Sequence, residues 1–312
     1  MLAAVAIWGA NFAAIKFLLG KLDAFDVMFV RGAGGAFFFA LVLLVFGRPL
    51  VTMRRPDALR LLGIGVLGIT VMNAAMIGGQ NLLPAALASL IVTSNPIHTA
   101  VISRVLTGEP LGRRKLGGIA LAFLGFLVVL FWGSGDRVDL GTGRLQGVAL
   151  MALAPFCWAF YSVLSKPLLV RYPASHVTGY GVIAGTVGFL PLAVIRPGTV
   201  GRIADLPPGG WVAALFATAL SFVVAYLLWG QGLRALAPSQ TAVYAYLVPV
   251  FGLLAAWLVL GERPTAFLVL GGAIILGGVF LTNSAPSSPA PGTPRVAPVP
   301  VPVARRVGER GS

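Results

Sequence analysis

Polar side chains set inside long apolar runs are the part of this sequence with chemistry to do. Asn11, Asn95, His98, Tyr161, Tyr226, Tyr244 and Tyr246 stand nearest the centres of such runs, accompanied by Asn73, Gln80, Ser94, Ser221 and Gln231. A polar group in hydrocarbon is costly, so each either bonds a neighbouring helix or faces a path for a polar solute. The parts needed for catalysis are missing. His98 and His176 are the only histidines, neither has an Asp or Glu at ligand spacing, and the single cysteine, Cys157, lies within an apolar run. No Gly-x-x-x-x-Gly-Lys-Ser/Thr loop is present, which argues against ATP drive. The expectation is a protein that is not an enzyme, needs no cofactor or metal, and takes a small-molecule solute as its partner. A membrane-embedded enzyme on lipid or prenyl substrates and a noncatalytic membrane scaffold are the alternatives.

The charges narrow the mechanism further. Asp23, Asp26, Asp57, Glu109, Asp136, Asp139, Asp205, Glu262 and Glu309 are the acidic residues, and none falls at the centre of an apolar run. A buried carboxylate that exchanges protons with a cationic substrate therefore has no candidate. His98 titrates in a range suited to proton coupling, or is simply a hydrogen-bonded bundle histidine. Arg31 and the pair Lys16 and Lys166 put positive charge near the expected cavity. They either attract a carboxylate or phosphate, or the lysines snorkel while Arg31 binds backbone carbonyls. Trp8 and Trp158 form an aromatic cavity wall or fill the bundle core. Pro96 and Pro249 lie deep in two of the apolar runs, where each frees backbone carbonyls and makes a hinge or a static kink.

These residues need helices in lipid to hold them. Of 312 residues, 58% are hydrophobic and 10% charged, with a mean hydropathy of +0.92, far from the roughly 25% charged residues of soluble domains. Lipid leaves only helices or closed barrels, and long runs without alternation read as helices. Ten spans are expected, near 1–19, 27–46, 58–79, 84–106, 115–132, 145–165, 176–195, 210–233, 238–260 and 265–283, an all-α integral membrane fold. Pro84, Pro110, Pro207, Pro208, Pro238 and Pro264 mark the junctions. The first run lacks a basic n-region and a small-residue cleavage site, so it is expected to be a retained helix. Residues 284–312, rich in Pro, Ser, Ala and Val, read as a disordered tail. Net charge is +14, but the basic residues lie between apolar runs and suggest topology, not a nucleic-acid partner. Their excess near Arg54, Arg113, Lys166, Arg234 and the tail places both termini in the cytoplasm and the chain in the plasma membrane, the inner membrane if bacterial.

The two halves repeat. Trp8, Asn11 and Lys16 correspond to Trp158, Tyr161 and Lys166; Gly79-Gln80 to Gly230-Gln231; and Pro96, Gly108-Glu109, Gly118 and Gly125 to Pro249, Gly261-Glu262, Gly271 and Gly278. The offset drifts from 150 to 153, as a few loop insertions would cause. An odd number of helices per repeat inverts the second relative to the first, giving units over 1–132 and 145–283. The glycines imply close backbone approach, either between helices 5 and 10 or across a homodimer. Glu109 and Glu262 either pair with nearby basic residues, Arg113 and Arg114 for the first and Arg263 for the second, or mark the loop geometry of the repeat.

The string Trp8-Gly9-Ala10-Asn11-Phe12 with Lys16, the Arg31 in helix 2, the Gly-Glu ends after Pro96 and Pro249, and the glycine-bearing closing helices resemble the EamA family of the drug/metabolite transporter superfamily. The resemblance covers about residues 1–283. It implies a ten-helix basket with a central cavity, and export of amino acids, metabolites or toxic compounds. The expected site lies where helices 1, 4, 6 and 9 converge.

Overall fold

Backbone groups surrounded by hydrocarbon must bond within their own segment, and the described chain does this with helices alone. The computed structural model describes residues 1–47, 49–83, 91–92, 94–132, 145–189, 191, 196–252, 254 and 265–284, and no strand occurs among them. The junctions at Pro84 and Pro264, the Glu262 and Arg263 pairing, Arg137, Arg144 and the tail from 285 lie outside the described residues. Helices α1 (Leu2–Leu19), α2 (Ala24–Phe46), α3 (Arg55–Leu82), α4 (Asn95–Thr107), α5 (Arg113–Trp132), α6 (Leu145–Arg171), α7 (Ala174–Thr186), α8 (Pro208–Ala235), α9 (Pro238–Ala242) and α10 (Ala266–Asn283) follow in order. A six-residue helix, Thr199–Ala204, precedes α8. Among the described residues α1, α2, α3, α6 and α8 are long and apolar enough to cross a membrane.

Two helices carry the same irregularity at corresponding places. Val66–Val71 in α3 and Phe216–Val224 in α8 are π-helical, and the 151-residue offset of the repeat superposes them in sequence. A π-turn widens the helix and shifts the faces on either side of it, and such turns frequently mark functional sites. Here Gly68 in the first π-turn lies where any Cβ would come within 2.4 Å of the Tyr161 Cβ and 2.6 Å of its ring. The missing side chain is what lets α3 and α6 close on each other.

The prolines fall elsewhere than a reading of continuous spans expects. Where an unbroken helix through Pro96 is expected, the described residues have a turn at Ser94 and a fresh start at Asn95, with Pro96 in the first turn of α4. In the second half α9 passes into a 3-10 turn, Val243–Leu247, before residues 248–252 return to α-helix with Pro249 near their start. Proline suits a first turn because its absent N–H is not needed there, and it disfavours helical geometry in the residue before it. The first segment thus starts afresh at Asn95, while the second stays helical and tightens to a 3-10 stretch just before Pro249.

Helices α5 and α10 settle the alternatives left open for the glycines. A Cβ on Gly118 would meet the Gly278 carbonyl at 2.7 Å, and one on Gly125 the Gly271 carbonyl at 2.8 Å. The contact lies within one chain. The pairs 118–278 and 125–271 run in opposite senses, so the two helices cross antiparallel with backbones touching, the packing small residues permit in lipid.

Candidate functional site

Helices from both halves enclose a cavity of about 110 Å³, with Asn73 and Tyr226 reaching it from just beyond the two π-turns. Its wall takes Trp8 and Asn11 from α1, Arg31 from α2, Asn73 and Gln80 from α3, Asn95 from α4, Pro155 and Trp158 from α6, Tyr226 from α8, and Ala245 and Pro249 beyond α9. Phe12, Met72, Met76 and Val248 complete a largely apolar lining. The cavity shares Phe12 and Gln80 with a surface depression bordered by Lys16, Gly20 and Asn81. That shared border, at the end where α1 and α3 terminate, is its candidate mouth.

Packed aromatic rings form part of its wall. Trp8 meets Trp158 edge-on at 5.5 Å and Tyr226 at 5.7 Å, and lies 5.0 Å from Trp229. Tyr161 stacks on Trp158 at 5.1 Å, and Phe222 stacks on Tyr226 at 5.0 Å. Edge and offset contacts of this kind add about 0.5–1.5 kcal/mol per pair beyond burial. The Trp8 indole N–H donates to the Ser221 carbonyl over 3.1 Å, inside the second π-turn. Gly9, next to Trp8, lets α1 come against Val248, where a Cβ would lie 2.6 Å from the carbonyl oxygen.

Arg31 is 3% exposed. One guanidinium nitrogen, Nη2, donates to Asn73 Oδ1 over 3.2 Å, and the Phe222 ring covers the guanidinium at 4.8 Å. Asn73 is itself oriented by donating Nδ2 to the Ile69 carbonyl in the first π-turn. The alternative in which Arg31 binds backbone carbonyls is not what the structure has. Arg31 Nε and Nη1, Asn11 Oδ1 and Gln80 Nε2 are buried without hydrogen-bond partners. Asn95 is satisfied, donating Nδ2 to the Pro155 carbonyl over 3.1 Å and so tying the start of α4 to α6.

Other residues singled out by sequence stand away from the cavity wall. His98 lies one turn into α4 with Nδ1 3.0 Å from the Ser94 carbonyl, and packs on Phe156. Tyr161 backs Trp158 without lining the cavity, and Tyr246 is fully buried against Phe126 of α5. Tyr244 is half-buried on the core, so the 3-10 turn presents Ala245 to the cavity in place of either tyrosine. Lys16 is exposed at the mouth. Lys166 instead donates to the carbonyls of Leu233, Arg234 and Leu236, capping the end of α8, where a cation complements the helix dipole. Asn73 and Gln80 are site residues that a preference for helix centres passes over, and Trp229, Phe222 and Pro155 are site or site-backing residues that a search for polar side chains passes over. The repeated Gly-Gln pair is the one signal that pointed to Gln80.

The charges at the helix ends pair across segments. Glu109 takes a 2.9 Å bond from Lys115, not from Arg113 or Arg114, and hydrogen bonds from Ser103 and Ser239. Asp57 binds Arg171 at 2.6 Å and Tyr172 at 2.8 Å. Asp26 accepts from Thr199 and Arg202, and the hydrogen bonds that Arg202 donates to Asp26 hold its guanidinium above the ordinary arginine range. His176 lies 2.9 Å from the Gly47 carbonyl. Among the described residues no group of three His, Cys, Asp or Glu side chains could hold a metal ion.

Comparisons with known proteins agree with this arrangement. A protein of Archaeoglobus fulgidus named "Uncharacterized transporter" is 31% identical over 89% of this chain and 94% of its own. A "Probable terminal-alkyne amino-acid exporter" of Streptantibioticus cattleyicolor is 30% identical over 78% of this chain and 80% of its own. A "Probable amino-acid metabolite efflux pump" of Escherichia coli is 29% identical over 89% and 91%. A crystal structure superposes with a TM-score of 0.70 at 21% identity, covering 89% of this chain and 93% of that one, and so shares the fold. The model of the EamA-like transporter family matches twice, over residues 1–131 and 145–284, and the chain belongs to that family.

Proposed function

We propose that this protein is a secondary transporter that exports amino acids or closely related metabolites by alternating access between two inverted five-helix halves. The observation that carries the reading is the cavity lined from both halves, adjoining a surface depression beside Lys16 and walled by packed aromatic rings. A transport site of this kind is buried near the middle, mostly apolar, with a few polar groups to fix orientation. The exporters and efflux pumps among its relatives supply the substrate class and direction.

The inverted arrangement has support in reciprocal contacts. In a two-fold relation, residue i of one unit meets j of the other and j meets i. Gly118 and Gly125 correspond to Gly271 and Gly278, yet the contacts are 118 with 278 and 125 with 271, which is the swapped pattern. Likewise His176 at the start of α7 holds the end of α2, while Asp26 at the start of α2 holds Thr199 after α7. The ten-helix path puts Asp57 and Arg171, Asp26 and Arg202, and Glu109 and Ser239 each on a common membrane face, and each pair is bonded. On that path, with both termini cytoplasmic, the mouth beside Lys16 faces outward. The halves then work as repeat units over 1–132 and 145–283 in the plasma membrane.

Counterflow in sealed proteoliposomes tests the function. Vesicles preloaded with an unlabelled amino acid should accumulate the labelled form faster than protein-free vesicles, and the rate should saturate. A panel of amino acids that moves no faster than through bare lipid would reject transport of this class.

A further inference from the structure

We infer that Arg31 is the anchor for a carboxylate on the transported solute, so that carboxylate-bearing solutes are selected over their neutral or purely cationic analogues. The inference rests on the transport reading and deepens it by naming the chemistry of the site. Among the described residues that line the cavity, Arg31 is the one charged side chain. Guanidinium stays protonated in proteins, and a buried ion without a counterion is strongly disfavoured. Asp23, Asp26, Asp57 and Glu109 are each occupied by another base, namely Arg196, Arg202, Arg171 and Lys115. Among the described residues Arg31 is met by a neutral amide and an aromatic face, from Asn73 and Phe222.

Its donors are correspondingly unused. Nε and Nη1 are buried with no acceptor, although guanidinium is built to give several directed bonds. Asn73 cannot turn to serve them, because its own amide is fixed on the Ile69 carbonyl. An architectural role shared by both halves fails too: the position equivalent to Arg31 at the 150-residue offset is Gly181, whereas Trp8 and Lys16 keep their counterparts. Across the same cavity the Asn11 side chain leaves its oxygen unpartnered, an acceptor for an ammonium group. An α-amino acid carries both complements, the carboxylate for Arg31 and the ammonium for Asn11. Nε and Nη1 are covered in this conformation, so the pairing forms as the cavity opens around the guanidinium.

Matched pairs isolate the carboxylate. L-leucine with L-leucinamide, and L-phenylalanine with L-phenylalaninamide, compete for counterflow in proteoliposomes holding wild-type protein, Arg31→Lys or Arg31→Met. Wild type should prefer the acid by about tenfold or more, the scale of one charge-assisted hydrogen bond. Arg31→Lys should keep a reduced preference, and Arg31→Met should bring the pair within about twofold. Without solute, Arg31→Met should melt no lower than wild type, because it removes an uncompensated charge, and it should lose the rise in melting temperature that the acid gives wild type. Equal transport of acid and amide by wild type overturns the anchor but leaves the transporter reading intact. So does a preference that survives in Arg31→Met, or an Arg31→Met protein that melts lower or fails to fold, which would make Arg31 a structural strut. Movement of neither member of either pair by wild type would count against the transport of amino acids itself, and the anchor would fall with it.

Discussion

At the scale of residues, burial and partner decide what a polar side chain in the membrane does, and sequence position alone separates the cases poorly. Lys16 and Lys166 occupy matching places in the two halves, yet one is exposed at the cavity mouth while the other is tied to three carbonyls at the end of α8. Lys166→Met should therefore lower the melting temperature through a cost of about 1 kcal/mol for the lost helix cap, while leaving substrate preference unchanged. Lys16→Met should leave stability as it is, and differential scanning fluorimetry with a competition assay reads both. Trp8, Trp158, Asn11, Asn95 and Tyr226 were legible as cavity residues from polarity, aromaticity and repetition. Tyr244 and Tyr246 were not, because a 3-10 turn rotates the chain between them and presents Ala245 instead. Asn73 and Gln80 stand off-centre in their helix, and no rule based on depth along a helix selects them.

At the scale of elements, backbone irregularities place the site. The π-turns of α3 and α8 orient Asn73 through Ile69 and receive the Trp8 indole at Ser221. Hydropathy reports that a helix exists; it is blind to an extra residue in a turn, so neither π-turn was legible. The prolines were visible, but their effect was not. A proline in the middle of an apolar run reads as a kink, whereas Pro96 stands in the first turn of α4 after Ser94 leaves the helix, and Pro249 near the start of a helical stretch. The glycines of α5 and α10 were correctly read as a close approach. Gly278→Ala puts a methyl 2.4 Å from the Ala122 nitrogen, a backbone atom that cannot give way locally. It should force the helices apart and cut the yield of folded protein severalfold in size-exclusion chromatography. Gly63→Ala, with open space around it, should be neutral or stabilising by up to about 1 kcal/mol from helix propensity.

At the scale of the whole molecule, membrane composition, helical class and family were all readable, because lipid imposes so strong a constraint on the chain. Which face the cavity opens to was not, since that depends on which rings and ion pairs close in one conformation. On the proposed reading, the ring cluster of Trp8, Trp158, Tyr226 and Trp229 and the buried Glu109–Lys115 pair with Ser239 form the seal on one side. In the proposed cycle the halves rock, the seal parts, and the mouth beside Lys16 shuts. Thiol labelling tests that claim most directly. A cysteine at Ala245, in a Cys157→Ala background, is probed with an impermeant reagent in right-side-out and inverted membrane vesicles. Alternating access requires labelling from both faces, slowed in each case by a saturating transported amino acid. Labelling from one face only, or at a rate indifferent to an amino acid that the protein demonstrably moves, would contradict it.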